Sequence, residues 1–164
     1  MTLDSVTSAV TQTLQTAHIP AVSAYPSHGL DPDRAVVCVS VQKCECLSGA
    51  FAEYLGLSYD DFDNRVELYG QRLDLVLGLD IYAPHDDGPE SCSSLFLQIS
   101  QALHALPSGL RVRKLSAGNA APDKTTGLFH CPVALHCRAL LIARADPDSG
   151  EFLDFVLKGW SVHV

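Results

Sequence analysis

The chain has 164 residues, of which 47% are hydrophobic and 18% charged, and its formal net charge at pH 7 is −8. This length and composition predict a single globular domain over 1–164 with its own hydrophobic core, and they exclude a disordered chain. The eleven Lys and Arg residues are scattered along the sequence. Because neutralising phosphate requires clustered basic side chains, we expect no nucleic-acid partner and no membrane partner.

No targeting segment is predicted. The first twenty residues contain no Lys or Arg and no unbroken apolar core, so they lack the pattern of a signal peptide. The most apolar stretch, 131–145, is too short to span a bilayer. We therefore expect synthesis in the cytoplasm, where free cysteines at apolar strand positions behave as small hydrophobes; these are Cys38, Cys131 and Cys137.

The first predicted element is an N-terminal helix. Its apolar residues recur at three- and four-residue steps and form one narrow stripe: Leu3, Val6, Val10, Leu14 and Ala17. Pro20 ends the helix soon after His18. Because the opposite face is rich in Thr, Gln and Ser, we expect this helix to lie on a sheet or on a neighbouring subunit.

A strand is predicted next, over 34–43, and a long irregular segment follows it. Val37, Val39 and Val41 share one face of the strand. The segment 44–63 has the weakest periodicity in the chain. We interpret it as a loop excursion with some strand character.

The clearest element is a long alternating strand over 72–83. One of its faces is wholly aliphatic, with Leu73, Leu75, Leu77, Leu79 and Ile81. The other face is mixed and carries Arg72, Asp74, Asp80 and Tyr82. The pattern predicts a sheet that is covered on one side and partly wet on the other. Its register is strongly fixed, since a slip of one residue would expose five aliphatic side chains.

A helix and three strands complete the chain. The helix, 91–106, has an apolar stripe that predicts it covers the aliphatic face of the long strand. Strands are predicted over 110–117, 129–145 and 152–164, with Pro132 at an edge or bulge position. The short turn between the last two favours antiparallel pairing. The fold class is therefore α+β, with a mainly antiparallel sheet of four to five strands and two helices packed on one face.

Metal and catalytic patterns are weak in this sequence. A zinc site needs two matching ligand pairs, whereas Cys44 and Cys46 are separated by a single residue. His130 and His136 share a strand face but lie about 20 Å apart at the usual rise per residue. The clustered aspartates fall in turns, where solvated Asp is common. We predict no catalytic, cofactor-binding or metal-binding residues.

Cys92 is the best candidate for a reactive thiol, because it lies near the start of the second helix, where a thiol pKa can fall. It also falls on the apolar stripe of that helix, which favours a core position. A small cytosolic thiol enzyme that uses Cys92 or a histidine is thus the alternative function from another class, and the sequence does not favour an enzyme.

Several longer stretches carry a family resemblance. They are VELYGQRLDLVLGLDIYAP at 66–84, the acidic Gly-Pro turn and helix that follow, GLRVRKLSAG, LFHCPVALHCRALLIA and DFVLKGW. In these stretches the chain resembles tail-terminator-like proteins of long-tailed phages, especially those encoded by prophages of Firmicutes. The likeness extends from about Val66 to Trp160 and is one of overall pattern, with no diagnostic short motif.

The resemblance implies a small α+β domain whose copies assemble as a ring, typically a hexamer. It implies a structural protein of the virion tail that caps the tail tube and offers a surface for head attachment. The partners would be further copies of the chain, the major tail tube protein and the head–tail connector protein. No catalysis and no cofactor are implied. Another head–tail joining or minor tail protein is the alternative within this class.

The resemblance also directs attention to two parts of the chain. The mixed face of the long strand, with Arg72, Asp74, Asp80 and Tyr82, is the first candidate for a subunit interface. The segment 44–63 is larger than a minimal version of the fold requires. It either contacts the tail tube as an arm or covers an edge of the sheet.

Overall fold

A computed structural model describes residues 3–23, 30–31, 33–47, 54–59, 62–106, 110–145 and 152–158. These residues form two α-helices, α1 (Leu3–Thr16) and α2 (Gly88–Ala102), and short 3-10 turns at His85–Asp87 and Leu103–Ala105 flank α2. The strands are β1 (Ala21–Ser23), β2 (Val36–Leu47), β3 (Tyr54–Tyr59), β4 (Arg65–Ala83), β5 (Arg111–Ala117), β6 (Ala121–Pro122), β7 (Phe129–Cys131), β8 (Val133–Ala145) and β9 (Phe152–Lys158).

The described strands form one nine-stranded sheet with β4 at its centre. Along one edge of β4, β2 and β3 pair antiparallel with its C-terminal and N-terminal parts. Along the other edge, β7 pairs antiparallel with the C-terminal end of β4, and β8 pairs antiparallel with the part before it. β5 and β9 pair with the outer edge of β8, β6 pairs with β7, and β1 pairs parallel with β2. The α+β class and the two helices are confirmed, but the sheet is mixed and has more strands than the four to five predicted.

The alternation of β4 decides what the sheet buries. Its five aliphatic side chains, Leu73 to Ile81, are at most 8% exposed and belong to one core with both helices. The helix residues in this core are Val6, Val10, Leu14, Cys92, Leu95 and Ile99. Both helices therefore lie on the same side of the sheet. α1 packs on the sheet of its own chain, which resolves the alternative of a neighbouring subunit for its apolar stripe.

The segment 44–63, predicted as a loop excursion, contains strand at both ends, since β2 continues to Leu47 and β3 occupies Tyr54–Tyr59. The period-2 pattern is hidden by register shifts, between Val41 and Lys43 in β2 and between Tyr54 and Gly56 in β3. Each shift moves the side chains that follow it to the other face. Gly56 has φ 122°, a conformation that favours glycine. Residues 48–53 and 60–61 lie outside the described residues.

Pro132 divides the strand predicted over 129–145 into β7 and β8. Its ring nitrogen has no hydrogen to donate, so the ladder is interrupted there. Its carbonyl still accepts a hydrogen bond from the backbone N–H of Gly118, at 2.7 Å. Pro132 does not lie on an outer edge of the sheet, since β7 and β8 each have a neighbouring strand on both sides. The turn predicted at 146–150 and residues 159–164 of the last predicted strand lie outside the described residues.

Candidate functional site

The four residues predicted as a subunit interface all point to the face of the sheet opposite α1 and α2, which we call the helix-free face. Arg72 is exposed, and the side chains of Asp74 and Asp80 are 34% and 21% exposed. Tyr82 is only 3% exposed, because it packs with Cys38 and Leu128 in a small second cluster. Three of the four are thus accessible in the isolated chain, and their role in an interface stays a prediction.

Asp80, Tyr82 and His130 form one group of contacts near the second cluster. β4 and β7 place Tyr82 opposite His130, and the two rings stack with centroids 4.8 Å apart. His130 Nε2 lies 3.3 Å from Asp80 Oδ1. Burial, and secondarily the charge of Asp123, raises the pKa of Tyr82. The ring stacking and the contact with Asp80 orient His130.

Asp74 and Arg138 form an ion pair across the middle of the helix-free face. They are register partners on β4 and β8, and Arg138 Nε donates to Asp74 Oδ1 at 2.8 Å. This hydrogen bond holds the pKa of Asp74 below its usual range, and the charges of Arg138, Arg72 and Arg113 lower it further. Lys43 Nζ and Glu45 Oε1 form a second pair at 2.7 Å on the neighbouring strand.

Acid is expected to weaken the fold partly through Asp74. Because its pKa is lower in the folded chain than in the unfolded chain, its contribution is present above the unfolded pKa of about 3.9 and is lost as pH falls below it. Thermal melts between about pH 5 and pH 3 should therefore decline less steeply in Asp74→Asn than in wild type. Asp86→Asn changes an exposed carboxyl and serves as the matched control. Equal slopes in all three proteins would contradict this role of Asp74.

Basic side chains from four strands meet on the helix-free face. Arg111 is the register partner of Arg138, and Lys114 is that of His136. Lys43 is the register partner of Val76, and Arg72 is two residues from Asp74 on the same face of β4. We call this set the basic patch: Lys43, Arg72, Arg111, Arg113, Lys114 and Arg138. It contains six of the eleven Lys and Arg residues, which are scattered along the sequence and are brought together by strand pairing.

A shallow depression lies within the basic patch. Its lining includes Lys43, Asp74, Arg113, His136 and Arg138. The only local hint in the sequence was the Arg-Val-Arg-Lys run that became β5. The remaining members are distant in sequence, and strand pairing alone brings them together.

Four of the six cysteines are buried, namely Cys38, Cys92, Cys131 and Cys137. Burial is the main cause that raises their thiol pKa values, to about 11 for Cys38 and about 12 for Cys137. Cys92, the candidate reactive thiol, is 1% exposed in the core beneath α2, and its pKa is raised rather than lowered. A protonated, inaccessible thiol is a poor nucleophile, so the position of Cys92 fits a core role.

Thiol labelling is expected to separate the cysteines into two groups. Cys44 and Cys46 are exposed and should react with Ellman's reagent at pH 8 within the first fast phase. The four buried thiols should react only on unfolding, so that denaturant reveals all six. The double variant Cys44→Ser/Cys46→Ser should lose the fast phase entirely. A fast-reacting Cys92 in that variant would favour the thiol-enzyme alternative.

Metal-binding residues are not brought together within the described part of the chain: no group of three or more His, Cys, Asp or Glu is close enough to hold an ion. His130 and His136 lie opposite Tyr82 and Val76 of β4, as far apart as their six-residue spacing predicts.

Among the described residues, no helix has the length and apolar character needed to cross a membrane.

The helix-covered core occupies only about half of β4. The 19 residues of this strand span about 60 Å, whereas the core under the helices begins at Leu73. Beyond it, β3, residues 65–71 of β4, residues 140–145 of β8 and β9 continue the sheet, and we call this part the distal arm. Large exposed apolar side chains lie on or beside β3: Tyr54, Leu57, Tyr59 and Phe62.

Comparison with known proteins identifies no family for this chain. No protein-family model matches it, and no curated protein gives a significant match.

Proposed function

We propose that the chain is a structural protein of a phage tail, a tail terminator whose copies form a ring. The ring caps the tail tube and offers a surface for head attachment. The structural observation that carries this proposal is the distal arm, a continuation of the sheet beyond the helix-covered core with apolar side chains exposed. The sequence resemblance from about Val66 to Trp160 supports it independently, and it covers most of β4, α2 and the strands that follow.

The distal arm suits contact with another protein for two physical reasons. Tyr59 and Phe62 are 64% and 86% exposed, and contiguous exposed apolar surface is typical of interaction sites. β3 also forms an outer edge of the described sheet, since it pairs there with β4 alone. An edge strand offers backbone donors and acceptors to a partner. A terminator needs such a surface to engage the end of a tube.

The mass of the assembled protein tests the ring. Sedimentation-velocity ultracentrifugation should detect a species of six times the 17.6 kDa chain mass, and negative-stain electron microscopy should show a ring with a central opening. Addition of the tail tube protein should place rings at tube ends. Rings that bind the head–tail connector protein and leave tubes unbound would instead identify a head–tail joining protein. A monomer that binds neither partner would overturn the proposal.

The distal arm itself is tested by the double variant Tyr59→Ser/Phe62→Ser. Because both side chains are exposed, the fold should be retained, while binding to tube ends should weaken by about tenfold or more. Leu3→Ser/Leu97→Ser removes two exposed apolar side chains from the helices and is the matched control. Equal loss of tube binding in both variants would show that the distal arm has no special role.

A further inference from the structure

The basic patch is a strong local departure from the charge of the chain. It holds six cationic side chains, and the carboxylates among them are Asp74 and Glu45. The local excess is therefore four positive charges. Since the whole chain has a net charge of −8, the rest of it carries an excess of twelve negative charges. The molecule is thus electrostatically divided, with one basic region on an acidic body.

Contacts within the chain leave most of this positive charge uncompensated. Asp74 is bonded to Arg138, and Glu45 is bonded to Lys43. The other four members, Arg72, Arg111, Arg113 and Lys114, are exposed, and they form no salt bridge with any described residue. Cationic side chains that outnumber the carboxylates beside them are suited to bind an acidic surface.

The location of the basic patch favours a protein partner. It lies on the helix-free face and includes three residues of β5, an outer strand that pairs only with β8 among the described strands. Charged side chains on an outer strand also discourage strand-to-strand aggregation. However, that role concerns β5 alone, whereas Lys43, Arg72 and Arg138 lie on inner strands and extend the charge across the sheet.

We propose that the basic patch of one copy docks against the acidic surface of the next copy and so forms the subunit contact of the ring. This inference rests on the proposed ring. A second copy is the occupant that charge complementarity selects, because every copy carries both the basic region and the acidic remainder. Such a contact joins two different surfaces, which is the type that generates closed rings. Its electrostatic character makes assembly sensitive to salt.

Charge reversal within the basic patch tests the contact. In Arg111→Glu/Lys114→Glu, both changed side chains are exposed on β5, and the subunit dissociation constant should rise on the order of 100-fold. In wild type, raising NaCl from about 50 mM to 500 mM should weaken assembly by about tenfold or more. The matched control is Arg34→Glu/Lys124→Glu, which makes the same change in net charge at exposed positions outside the patch. The control should assemble as wild type does.

Circular dichroism verifies that each variant is folded, and Arg72→Gln/Arg113→Gln replaces the first variant if it is not. Rings that persist in the patch variant, or that are lost equally in the control, would overturn the contact and leave the ring standing. A charge-dependent dimer or open filament would support the contact and overturn the ring. Wild type that is monomeric at low salt would overturn both. A monomer whose patch binds a labelled single-stranded oligonucleotide would identify a polyanion site in place of the contact.

Discussion

Replacing Leu77 with alanine is expected to lower the free energy of unfolding by about 2–5 kcal/mol. Leu77 is 0% exposed and lies at the middle of β4, opposite Val41 of β2 and Leu135 of β8. Its side chain belongs to the core shared by the sheet and both helices. Truncation removes buried methyl groups and leaves a cavity that rigid strands on both sides cannot close. Urea denaturation followed by circular dichroism measures the change.

The matched control for this prediction is Leu97→Ala. Leu97 is on α2, but it is 63% exposed, so the same chemical change should alter the unfolding free energy by no more than about 0.5 kcal/mol. Both variants are compared at a concentration at which the chain is monomeric. Equal destabilisation of the two would contradict the orientation of α2 on the sheet.

The parts of the fold that the sequence predicts well are those with a repeated local pattern. Five aliphatic residues at period two define the buried face of β4, and a stripe at helical spacing defines α2. These two patterns match each other in length and chemistry, so their packing follows from burial alone. For this reason the long strand, both helices and the α+β class could be predicted from the sequence.

The number of strands could not be predicted from the sequence, because short strands and bulges produce no recognisable alternation of apolar and polar residues. β1 and β6 have three and two residues, too few for an alternation to be recognised. The unpaired position Gln42 in β2 reverses the faces of the residues after it. As a result, Cys44 and Cys46 lie on the same face of the sheet as Leu75 and Leu73. The sequence around them suggests a loop.

The candidate surfaces show the same limit in another form. Sequence parity placed Tyr82 on the mixed face of β4, and that direction is correct. Its burial depends on Leu128, which lies 46 residues further along the chain. The basic patch likewise depends on the register that sets Arg111 beside Arg138 and Arg138 beside Asp74. Long-range pairing decides both features, and no local window of sequence contains it.

Alkaline pH is expected to destabilise the fold through its buried thiols. Burial raises the pKa of Cys137 from its usual 9.0 to about 12, and it raises that of Cys38 to about 11. Above pH 9 the unfolded chain has released these protons while the folded chain still holds them, so rising pH favours unfolding. Each thiol should lower the unfolding free energy by roughly 1.4 kcal/mol per pH unit, from pH 9 until its folded pKa is reached.

The contribution of one thiol is isolated by Cys137→Ala, measured by urea denaturation at intervals between pH 8 and about pH 11. Cys137 is 2% exposed, and its removal should make the decline of stability with pH shallower by roughly 1.4 kcal/mol per pH unit. Cys44→Ala makes the same change at an exposed position and should leave the slope of wild type unaltered. Because both variants are compared by slope, any loss of packing in Cys137→Ala shifts its curve without imitating the effect. A wild-type slope in Cys137→Ala would show that this thiol ionises as readily in the folded chain as in the unfolded one.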